Sequence, residues 1–231
     1  MLTTGNGRGA IPEDHPLALG PHAQNATLMQ ECGDAEVTIA VGTRFQVGVD
    51  GRARDVVPPG RLVHLDADPR TIDRVHRADA AVIGDARATL RALLDRMNAG
   101  AGDEGFLRTA RASREKLEQA ARERLGSDHE GIMETLRAGL PRDAIIVRDS
   151  TIPAYFWANQ LLPIHAPRTS ITPTSGAIGP GLPLAIGAAA GTGRRTLVIH
   201  GDGGLQLHVA GLAPAAGPRP LLVVCAFSGG S

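Results

Sequence analysis

The chain has 231 residues, and its 24 basic and 24 acidic residues give a formal net charge of zero. This balance, with an aromatic content of 3%, argues against nucleic acid or an anionic membrane surface as a partner. The N-terminus lacks a signal-peptide pattern, and no apolar run approaches the ~20 residues of a membrane span, so we expect a cytoplasmic protein. Cys32 and Cys225 lie beside apolar runs without a CxxC neighbour, which favours free thiols in a reducing compartment.

The first 97 residues alternate short apolar runs with helical patterns. Strands are predicted at 36–41, 61–65 and 80–83, each followed by glycine or aspartate, and helices at 70–76 and 87–97. The second helix carries apolar residues at the i, i+3, i+4 and i+7 spacing that places them on one face of an amphipathic helix. These residues are Leu90, Leu93, Leu94 and Met97. The alternation is typical of a parallel sheet with helices on both faces.

A second α/β unit follows the small, polar, glycine-rich residues 98–105, which indicate a domain boundary. A charged helix is predicted at 108–124, and the Ser-Asp-His-Glu sequence at 127–130 is a capping-box pattern that begins another helix. Further elements are predicted as a strand at 144–147, helices at 153–162 and 182–190, and strands at 196–199 and 221–227. The predicted fold is therefore α/β, with two doubly wound parallel-sheet domains. We expect the second domain to be truncated, because the chain stops soon after its last predicted strand.

The segment 197–204 carries the strongest chemical signal. Its predicted strand delivers Asp202, flanked by glycines, to the strand's carboxyl end, where ligands of open α/β sheets bind. Glycines let a phosphate approach the backbone, and the N–H groups at a helix start attract anions. An aspartate facing a phosphate needs a bridging cation, a role that suits Mg²⁺. The simpler interpretation of the same pattern is a strand and turn in which Asp202 caps a helix.

Two further loops are predicted at the same sheet edge. The last strand ends in Ala-Phe-Ser-Gly-Gly at 226–230, which places Ser228 26 residues after Asp202. Upstream, the small-residue loop 174–183 enters a helix rich in glycine and alanine. Because neighbouring parallel strands end at one edge of a sheet, we expect these loops to lie close together.

These motifs resemble those of thiamine-diphosphate-dependent enzymes of the acetolactate synthase and benzoylformate decarboxylase type. Gly-Asp-Gly at 201–203 is similar to the family's glycine–aspartate–glycine motif, and Gly-Ala-Ile-Gly at 176–179 to its glycine–any–apolar–glycine loop. Segments at 6–17, 41–45 and 64–69 also resemble the family's central domain.

The resemblance covers nearly the whole chain and implies a domain division. Residues 1–100 would form the Rossmann-like central domain of the family, and 101–126 a linker helix. Residues 127–231 would form the truncated C-terminal domain that binds thiamine diphosphate.

The resemblance implies bound thiamine diphosphate and Mg²⁺, with Asp202 and Ser228 as metal ligands. The implied cofactor contacts are Ser150, Thr151, Gly176, Ile178, Gly203 and Gly204. The hydroxyls and the last two glycines would contact the diphosphate, Ile178 would be the apolar wedge that bends the cofactor, and the Gly176 carbonyl would hold the aminopyrimidine. No residue is assigned a catalytic role, because the family's activating glutamate lies in a pyrimidine-binding domain that we expect another chain to supply.

The sequence departs from the family pattern in two places. Ser228 stands where the family has a magnesium-binding asparagine, and a hydroxyl is a weaker oxygen donor than an amide carbonyl. Glycines and prolines also interrupt the helix predicted after Asp202, and an interior proline costs about 3 kcal/mol. The interrupting residues are Gly211, Pro214, Gly217 and Pro218.

The implied function is thiamine-diphosphate and magnesium binding, as part of a 2-oxo-acid decarboxylase or an acetolactate synthase-like enzyme, a lyase or transferase. The implied partners are a small 2-oxo acid and a second subunit, either another copy or a chain carrying the pyrimidine-binding domain. Two alternatives stay open. In one, residues 1–100 bind ADP or FAD as a non-catalytic nucleotide-binding or assembly module, and the second half is degenerate. In the other, the reading frame has decayed and its product does not fold stably.

Overall fold

The computed structural model describes residues 1–45, 56–98, 100, 102–125, 127–215 and 222–227. The chain divides into two compact units. We call Ala23–Arg114 the central unit, and Met1–His22 with Glu115–Ser231 the C-terminal unit. Each unit contains a parallel sheet with helices, which confirms the predicted α/β fold.

The domain boundaries expected from the sequence, at 1–100, 101–126 and 127–231, stay a prediction. The compact units differ from them at the N-terminus, where contacts group Met1–His22 with the C-terminal unit. The chain therefore contributes two separate stretches to that unit.

The central unit contains a three-stranded parallel sheet in the order β1-β2-β3. Its strands, all at predicted positions, are β1 (Val37–Val41), β2 (Arg61–Asp66) and β3 (Ala80–Ile83). Helices α1 (Ala26–Glu31) and α2 (Ala86–Leu94) both begin at side-chain caps. Asn25 accepts a hydrogen bond from the Leu28 N–H, and Asp85 caps α2 in the same way. Each cap satisfies a backbone donor that the helix itself leaves without a partner.

The helix predicted at 70–76 is wrong. Pro69–Thr71 forms a short 3-10 turn, and Asp73 then takes a φ of 58°. A residue in the left-handed region ends a right-handed helix, and the Asp73 carboxylate instead accepts a hydrogen bond from the Ala78 N–H at 2.7 Å. Local polar chemistry therefore overrides the helical pattern here.

The apolar face predicted on the second helix is present in α2 and just beyond it, but it is not buried. Leu94 is 62% exposed and Met97 is 59% exposed in the described part of the chain. The spacing of apolar residues shows that a helix is amphipathic. It does not show that another element covers the apolar face.

The C-terminal unit contains a four-stranded sheet in the order β5-β4-β6-β7, with every neighbouring pair parallel. The strands are β4 (Ile145–Arg148), β5 (Ser170–Ile171), β6 (Thr196–Gly201) and β7 (Leu222–Phe227). Both faces of β4 and β6 are covered, which explains why these strands are nearly continuous apolar runs.

Alternate residues of β4 and β6 enter two separate clusters. The first cluster includes Ile146, Leu197, Ile199 and Trp157, and the second includes Ile145, Val147, Val198, Leu182 and Ala185. Trp157 is fully buried, and an apolar side chain of this size contributes about 2–3 kcal/mol when it leaves water. The central strands of this unit are therefore held rigidly from both sides.

The helices complete the unit. They are α4 (Ser127–Gly139), a π-helical segment (Ala154–Ala158), α5 (Gly181–Thr192), α6 (Asp202–Gln206), α7 (Leu212–Ala215) and the second half of α3 (Glu104–Leu125), whose first half belongs to the central unit. The predicted interruption after Asp202 is confirmed at Gly211, where a 3-10 turn at Val209–Gly211 separates α6 from α7, whereas Pro214 lies within α7 and Gly217 and Pro218 lie outside the described residues. Every helix within the described ranges is too short or too polar to span a bilayer.

The N-terminal segment is attached to the C-terminal unit by a buried ion pair. Arg8 donates to both carboxylate oxygens of Glu13 at 2.7 and 2.6 Å, and the two side chains are 1% and 4% exposed. Arg8 also donates to the carbonyls of Ala158 and Leu162, and Glu13 accepts a hydrogen bond from the Ile164 N–H at 2.8 Å. These bonds connect the segment to the region that follows β4.

Candidate functional site

The carboxyl ends of β4 and β6 bring two of the predicted loops together. The Asp149 N–H donates to the Ile199 carbonyl at 2.9 Å, so the neighbouring strands stay paired up to the point where both chains turn. A Cβ added to Gly201 would lie 3.4 Å from Thr151 Oγ1. The hydroxyls predicted after β4 therefore lie beside the Gly-Asp-Gly segment after β6.

Helix α6 begins immediately after β6. Gly201 is its N-cap and Asp202 its first residue, with the exposed Asp202 Oδ1 accepting from the Gly203 N–H at 2.8 Å. The strand–turn–helix arrangement of the simpler interpretation is therefore present, but Asp202 is not the N-cap. Gly203 is exposed, and a Cβ added there would meet no atom within 4 Å. The space beside the Gly203 Cα is therefore open to a ligand, while its N–H is held by the Asp202 carboxylate.

The loop 176–181 runs against the start of α6. Gly176 has a φ of 67° and Gly179 a φ of 104°, conformations that favour glycine and turn the chain sharply. Ile178 is 61% exposed although it is large and apolar, and its Cγ2 would lie 3.4 Å from a Cβ on Gly204. The loop thus holds an apolar side chain out of the core, beside the glycines of α6.

Ser150 joins the end of β4 to this loop. Its Oγ donates to the Gly176 carbonyl at 3.0 Å and lies 3.3 Å from the Ala177 carbonyl. A carbonyl oxygen has two lone pairs, so the Gly176 oxygen keeps the capacity to accept a second hydrogen bond.

The structure brings seven of the eight predicted site residues to one edge of the sheet. They are Ser150, Thr151, Gly176, Ile178, Asp202, Gly203 and Gly204. The eighth, Ser228, lies outside the described residues. Across the described ranges, no group of three or more His, Cys, Asp or Glu side chains forms a metal cluster.

The seven residues fit a diphosphate-bearing cofactor. Gly176 and Gly203 leave open backbone, Ile178 offers an exposed apolar contact, and Asp202 places a carboxylate at the start of a helix. Mg²⁺ bound to a phosphate typically needs only one or two protein oxygens, so a single exposed carboxylate suits it better than a cluster would.

Sequence reasoning missed Asp149, which lies beneath this surface and is 2% exposed. Its carboxylate accepts hydrogen bonds from the backbone N–H groups of Ser150, Gly179 and Gly181. The only signal in the sequence is an acidic residue directly after an apolar strand. The backbone groups that bond to this carboxylate are up to 32 residues away.

His200 lies next to Asp149 and is fully buried. Its Nδ1 is 3.5 Å from Asp149 Oδ2, and neither ring nitrogen has a hydrogen-bond partner in the part of the chain that the structure describes. Burial lowers the pKa of His200, and it outweighs the Asp149 carboxylate, which acts in the opposite direction. The site therefore lies above two buried polar residues, Asp149 and His200, and the lowered pKa of His200 favours its neutral form.

A second concave site lies in the central unit. A cavity of about 720 Å³ opens beside the carboxyl ends of β1 and β2 and the start of α2, and its lining includes Arg44 and Arg74. Arg70 also lines it but is paired with Asp68 at 2.8 Å, and this hydrogen-bonded pair lowers the pKa of Asp68 to about 2. The position of this cavity at the carboxyl edge of a parallel sheet suits a ligand with phosphate groups.

Two protein-family models match this chain. The model described as "Thiamine pyrophosphate enzyme, central domain" matches residues 1–93. The model described as "Thiamine pyrophosphate enzyme, C-terminal TPP binding domain" matches residues 154–227. The two matches together span well over half of the chain. The chain belongs to the thiamine pyrophosphate enzyme family. This membership confirms the resemblance found in the sequence and implies thiamine diphosphate as the cofactor.

Relatives within the thiamine pyrophosphate enzymes support the assignment. The chain is 35% identical over 219 residues to AruI of Pseudomonas aeruginosa, named probable 2-ketoarginine decarboxylase, and covers 39% of it. It is 29% identical over 215 residues to the acetolactate synthase isozyme 1 large subunit of Escherichia coli, and covers 38% of it. These matches span 94% and 90% of this chain.

A solved structure agrees with the fold. A protein from Mycobacterium smegmatis, assigned to the thiamin diphosphate-dependent enzymes, superposes with a TM-score of 0.67 over 96% of this chain at 22% identity. The match covers 43% of that chain. The chain thus spans about two fifths of the length of the relatives described here.

Proposed function

We propose that this chain binds Mg²⁺ and thiamine diphosphate at the carboxyl edge of the C-terminal sheet, as part of a 2-oxo-acid decarboxylase or acetolactate synthase-like enzyme. The observation that carries the proposal is the convergence of three loops. The segments 150–151, 176–179 and 202–204 come from distant parts of the sequence, and hydrogen bonds and close packing bring them together.

Different residues of the site bind the metal ion and the diphosphate. Asp202 holds Mg²⁺, with Ser228 as the proposed second protein ligand, and the backbone of Gly203 and Gly204 contacts the diphosphate at the positive end of α6. Thr151 provides a hydroxyl hydrogen bond to the same group, whereas Ser150, which the resemblance gives the same role, already donates its single hydroxyl hydrogen to the Gly176 carbonyl and would have to release it to contact the diphosphate. The proposal leaves the activating carboxylate to another part of the enzyme.

Two further residues orient the rest of the cofactor. Ile178 provides an apolar contact against which the cofactor bends, and the Gly176 carbonyl accepts a hydrogen bond from the aminopyrimidine. When bound, thiamine diphosphate supplies a nucleophilic carbon and an electron sink for reactions of a small 2-oxo acid. The protein's own contribution is to hold the cofactor in position. Related subunits, or copies of this chain, would complete the active site.

The proposal predicts that thiamine diphosphate stabilises the chain only when Mg²⁺ is present, and that Asp202→Ala abolishes this effect. A ligand at 100 times its dissociation constant adds about 2.7 kcal/mol to the free energy of unfolding. Thermal unfolding with each ligand alone and with both measures the effect. The matched control is Asp143→Ala, which removes an exposed carboxylate from the same unit, away from the site.

Two results would count against this function. One is a folded wild-type chain whose unfolding temperature does not respond to the two ligands. The other is an Asp202→Ala variant that keeps the full magnesium-dependent response, which would remove the metal ligand from the proposal.

A second candidate function is nucleotide binding by the central unit. The cavity of about 720 Å³ at the edge of a parallel sheet favours it, because its lining offers Arg44 and Arg74 to phosphate groups, although the acidic Asp66 and Asp85 line the same cavity. ADP or FAD has the phosphate groups that such a site would recognise. An ADP titration that stabilises the chain, where thiamine diphosphate has no effect, would favour this function over the first.

A further inference from the structure

Asp149 occupies a position that the binding roles above leave unexplained. Its carboxylate is 2% exposed, and it follows β4 directly. A buried carboxylate is stable only when hydrogen bonds replace the water that it has lost. The identity of those donors therefore shows which parts of the chain depend on this residue.

The donors come mainly from the loop 176–181. The Gly179 N–H lies 3.0 Å from both carboxylate oxygens, and the Gly181 N–H donates to Oδ2 at 2.7 Å. The third donor is the N–H of Ser150 at 2.7 Å. Hydrogen bonds to an ionised acceptor are about twice as strong as those between neutral groups, so this carboxylate holds the loop firmly.

Asp149 also replaces a missing helix cap. Helix α5 begins at Gly181 after Pro180, and Pro180 makes no side-chain capping bond. Asp149 reaches the first N–H of α5 from the neighbouring strand, and its negative charge lies at the positive end of the helix. The start of α5 is therefore fixed by a residue 32 positions earlier in the chain.

Packing around the carboxylate leaves no free space on the loop side. A Cβ added to Gly181 would lie 2.7 Å from Asp149 Oδ2, 2.9 Å from Asp149 Cβ and 3.0 Å from His200 Cε1. Carbon atoms do not approach this closely without displacement of one partner. Only glycine at position 181 allows the loop to sit directly on the carboxylate.

We propose that Asp149 is a positioning residue that locks the loop 176–181 in its binding conformation before the cofactor arrives. The inference rests on the proposed function, since it assigns a role to the loop that carries Gly176 and Ile178. Ser150 extends the same connection, because its N–H binds Asp149 while its Oγ binds the Gly176 carbonyl. One buried carboxylate thus sets both ends of the loop relative to β4.

The first test compares Asp149→Asn with Asp143→Asn. The carboxamide keeps the volume of the side chain but removes its charge and turns an NH₂ group towards N–H donors, which separates the loop from β4. We expect amide exchange at Gly179 and Gly181 to accelerate about tenfold or more. Exchange at Val198, in the core of β6, should stay unchanged, whereas general destabilisation would accelerate all three. Asp143→Asn should change none of them.

Binding provides the second readout. If the loop is competent only for a fraction of the time, the apparent dissociation constant rises by the inverse of that fraction. The affinity for thiamine diphosphate with Mg²⁺, measured by titration calorimetry, should therefore fall by the inverse of the closed fraction that the amide protection of the variant gives, so a large loss is expected only where the loop is open for most of the time. A role confined to overall stability would leave the affinity of the folded chain unchanged.

A pair of glycine substitutions in α5 covers the case in which Asp149→Asn does not fold. Gly181→Ala places a methyl group against the carboxylate, whereas a Cβ at Gly187, on the same helix, meets nothing within 4 Å. Both changes raise helix propensity, so the contacts of the added methyl group with Asp149 and His200 distinguish them. Gly181→Ala should reproduce the loss of protection at Gly179 and the loss of affinity, and Gly187→Ala should change neither.

The outcomes separate the two proposals. If the wild-type chain binds no thiamine diphosphate, the proposed function fails, and amide exchange alone decides whether Asp149 locks the loop. Unchanged exchange at Gly179 in both Asp149→Asn and Gly181→Ala overturns the inference. Loss of nearly all amide protection at Gly179 with unchanged affinity, in a chain that binds the cofactor, also overturns it.

Discussion

The Arg8–Glu13 pair shows how single residues hold the C-terminal unit together. Both side chains are almost completely buried, and each also bonds to the backbone that follows β4. Two charges removed from water are stable together only when their remaining hydrogen-bonding groups are also satisfied. The pair therefore links the N-terminal segment to the rest of the C-terminal unit. Loss of either partner would leave an unpaired buried charge and lower the free energy of unfolding.

We expect Glu13→Ala to lower the free energy of unfolding of the C-terminal unit by about 3–5 kcal/mol, because it leaves Arg8 charged and buried without its partner. Urea unfolding followed by Trp157 fluorescence measures the effect, since this is the chain's single tryptophan and lies in the core of that unit. The neighbouring residue is the control: Asp14 pairs with Arg142 at the surface, so Asp14→Ala should leave the urea midpoint nearly unchanged.

A double variant tests whether the charge or the shape of the pair matters. Replacing both partners by apolar residues, Arg8→Met with Glu13→Leu, removes the uncompensated charge and should recover a large part of the stability. If the double variant is as unstable as the sum of the two single changes, the pair does not act as a unit.

At the scale of elements, the aromatic and histidine contacts of the central unit predict a pH dependence. Phe45, which follows β1, packs edge-on against His64 of β2 and His76, at ring distances of 5.2 and 5.0 Å. Burial lowers the pKa of His76 below its ordinary value of 6.5, and a backbone hydrogen bond with Val56 offsets this only in part.

Protonation of His76 should destabilise the central unit. Because its pKa is lower in the folded than in the unfolded chain, its contribution to stability is present above the ordinary value of 6.5. It is lost as the pH falls through that value towards the lower pKa of the folded state. Amide exchange in β1 and β2 should accelerate between pH 7.5 and 5.5, after correction for the intrinsic rate. His76→Gln should reduce this change, and a replacement of the exposed His15 should not.

Strands β4 and β6 could be predicted because burial on both faces leaves a continuous apolar run in the sequence, and β3 could be predicted from its apolar run although its residues are exposed. A short apolar run that is bounded by turn residues, as in β4 and β6, predicts a buried strand rather than a helix. The error at 70–76 arose because the backbone of Asp73 follows a local hydrogen bond that helical periodicity does not report. The exposed face of α2 shows a second limit, since amphipathic spacing does not identify a covering element.

The candidate site shows the same division between local and distant information. Asp202 and Gly176 lie in local motifs and could be singled out from the sequence. Asp149 acquires its role from hydrogen bonds to residues 30 and 32 positions away, which no local pattern contains. Asp149 also takes the place of a capping side chain at the start of α5. Because no capping residue stands there in the sequence, nothing in the local pattern identified Asp149 as the partner of this helix.

At the scale of the whole molecule, the two compact units offer one candidate site each. The C-terminal unit carries the converging loops, and the central unit carries the cavity with Arg44 and Arg74. The chain corresponds to about two fifths of the length of its relatives, so binding is the activity that can be tested on it directly. The location of each ligand then distinguishes the two proposed functions.

Amide exchange with each ligand should give two separate maps. Thiamine diphosphate with Mg²⁺ should protect amides at 176–181 and 203–206, because ligand contacts and a more firmly held α6 reduce local opening. ADP should leave these amides unchanged and, if the second function is correct, protect the cavity residues 66–71. Protection of 66–71 by thiamine diphosphate, with none near α6, would move the cofactor to the central unit and contradict the proposed site. Arg74→Ala is the matched control, since it should weaken protection by ADP alone.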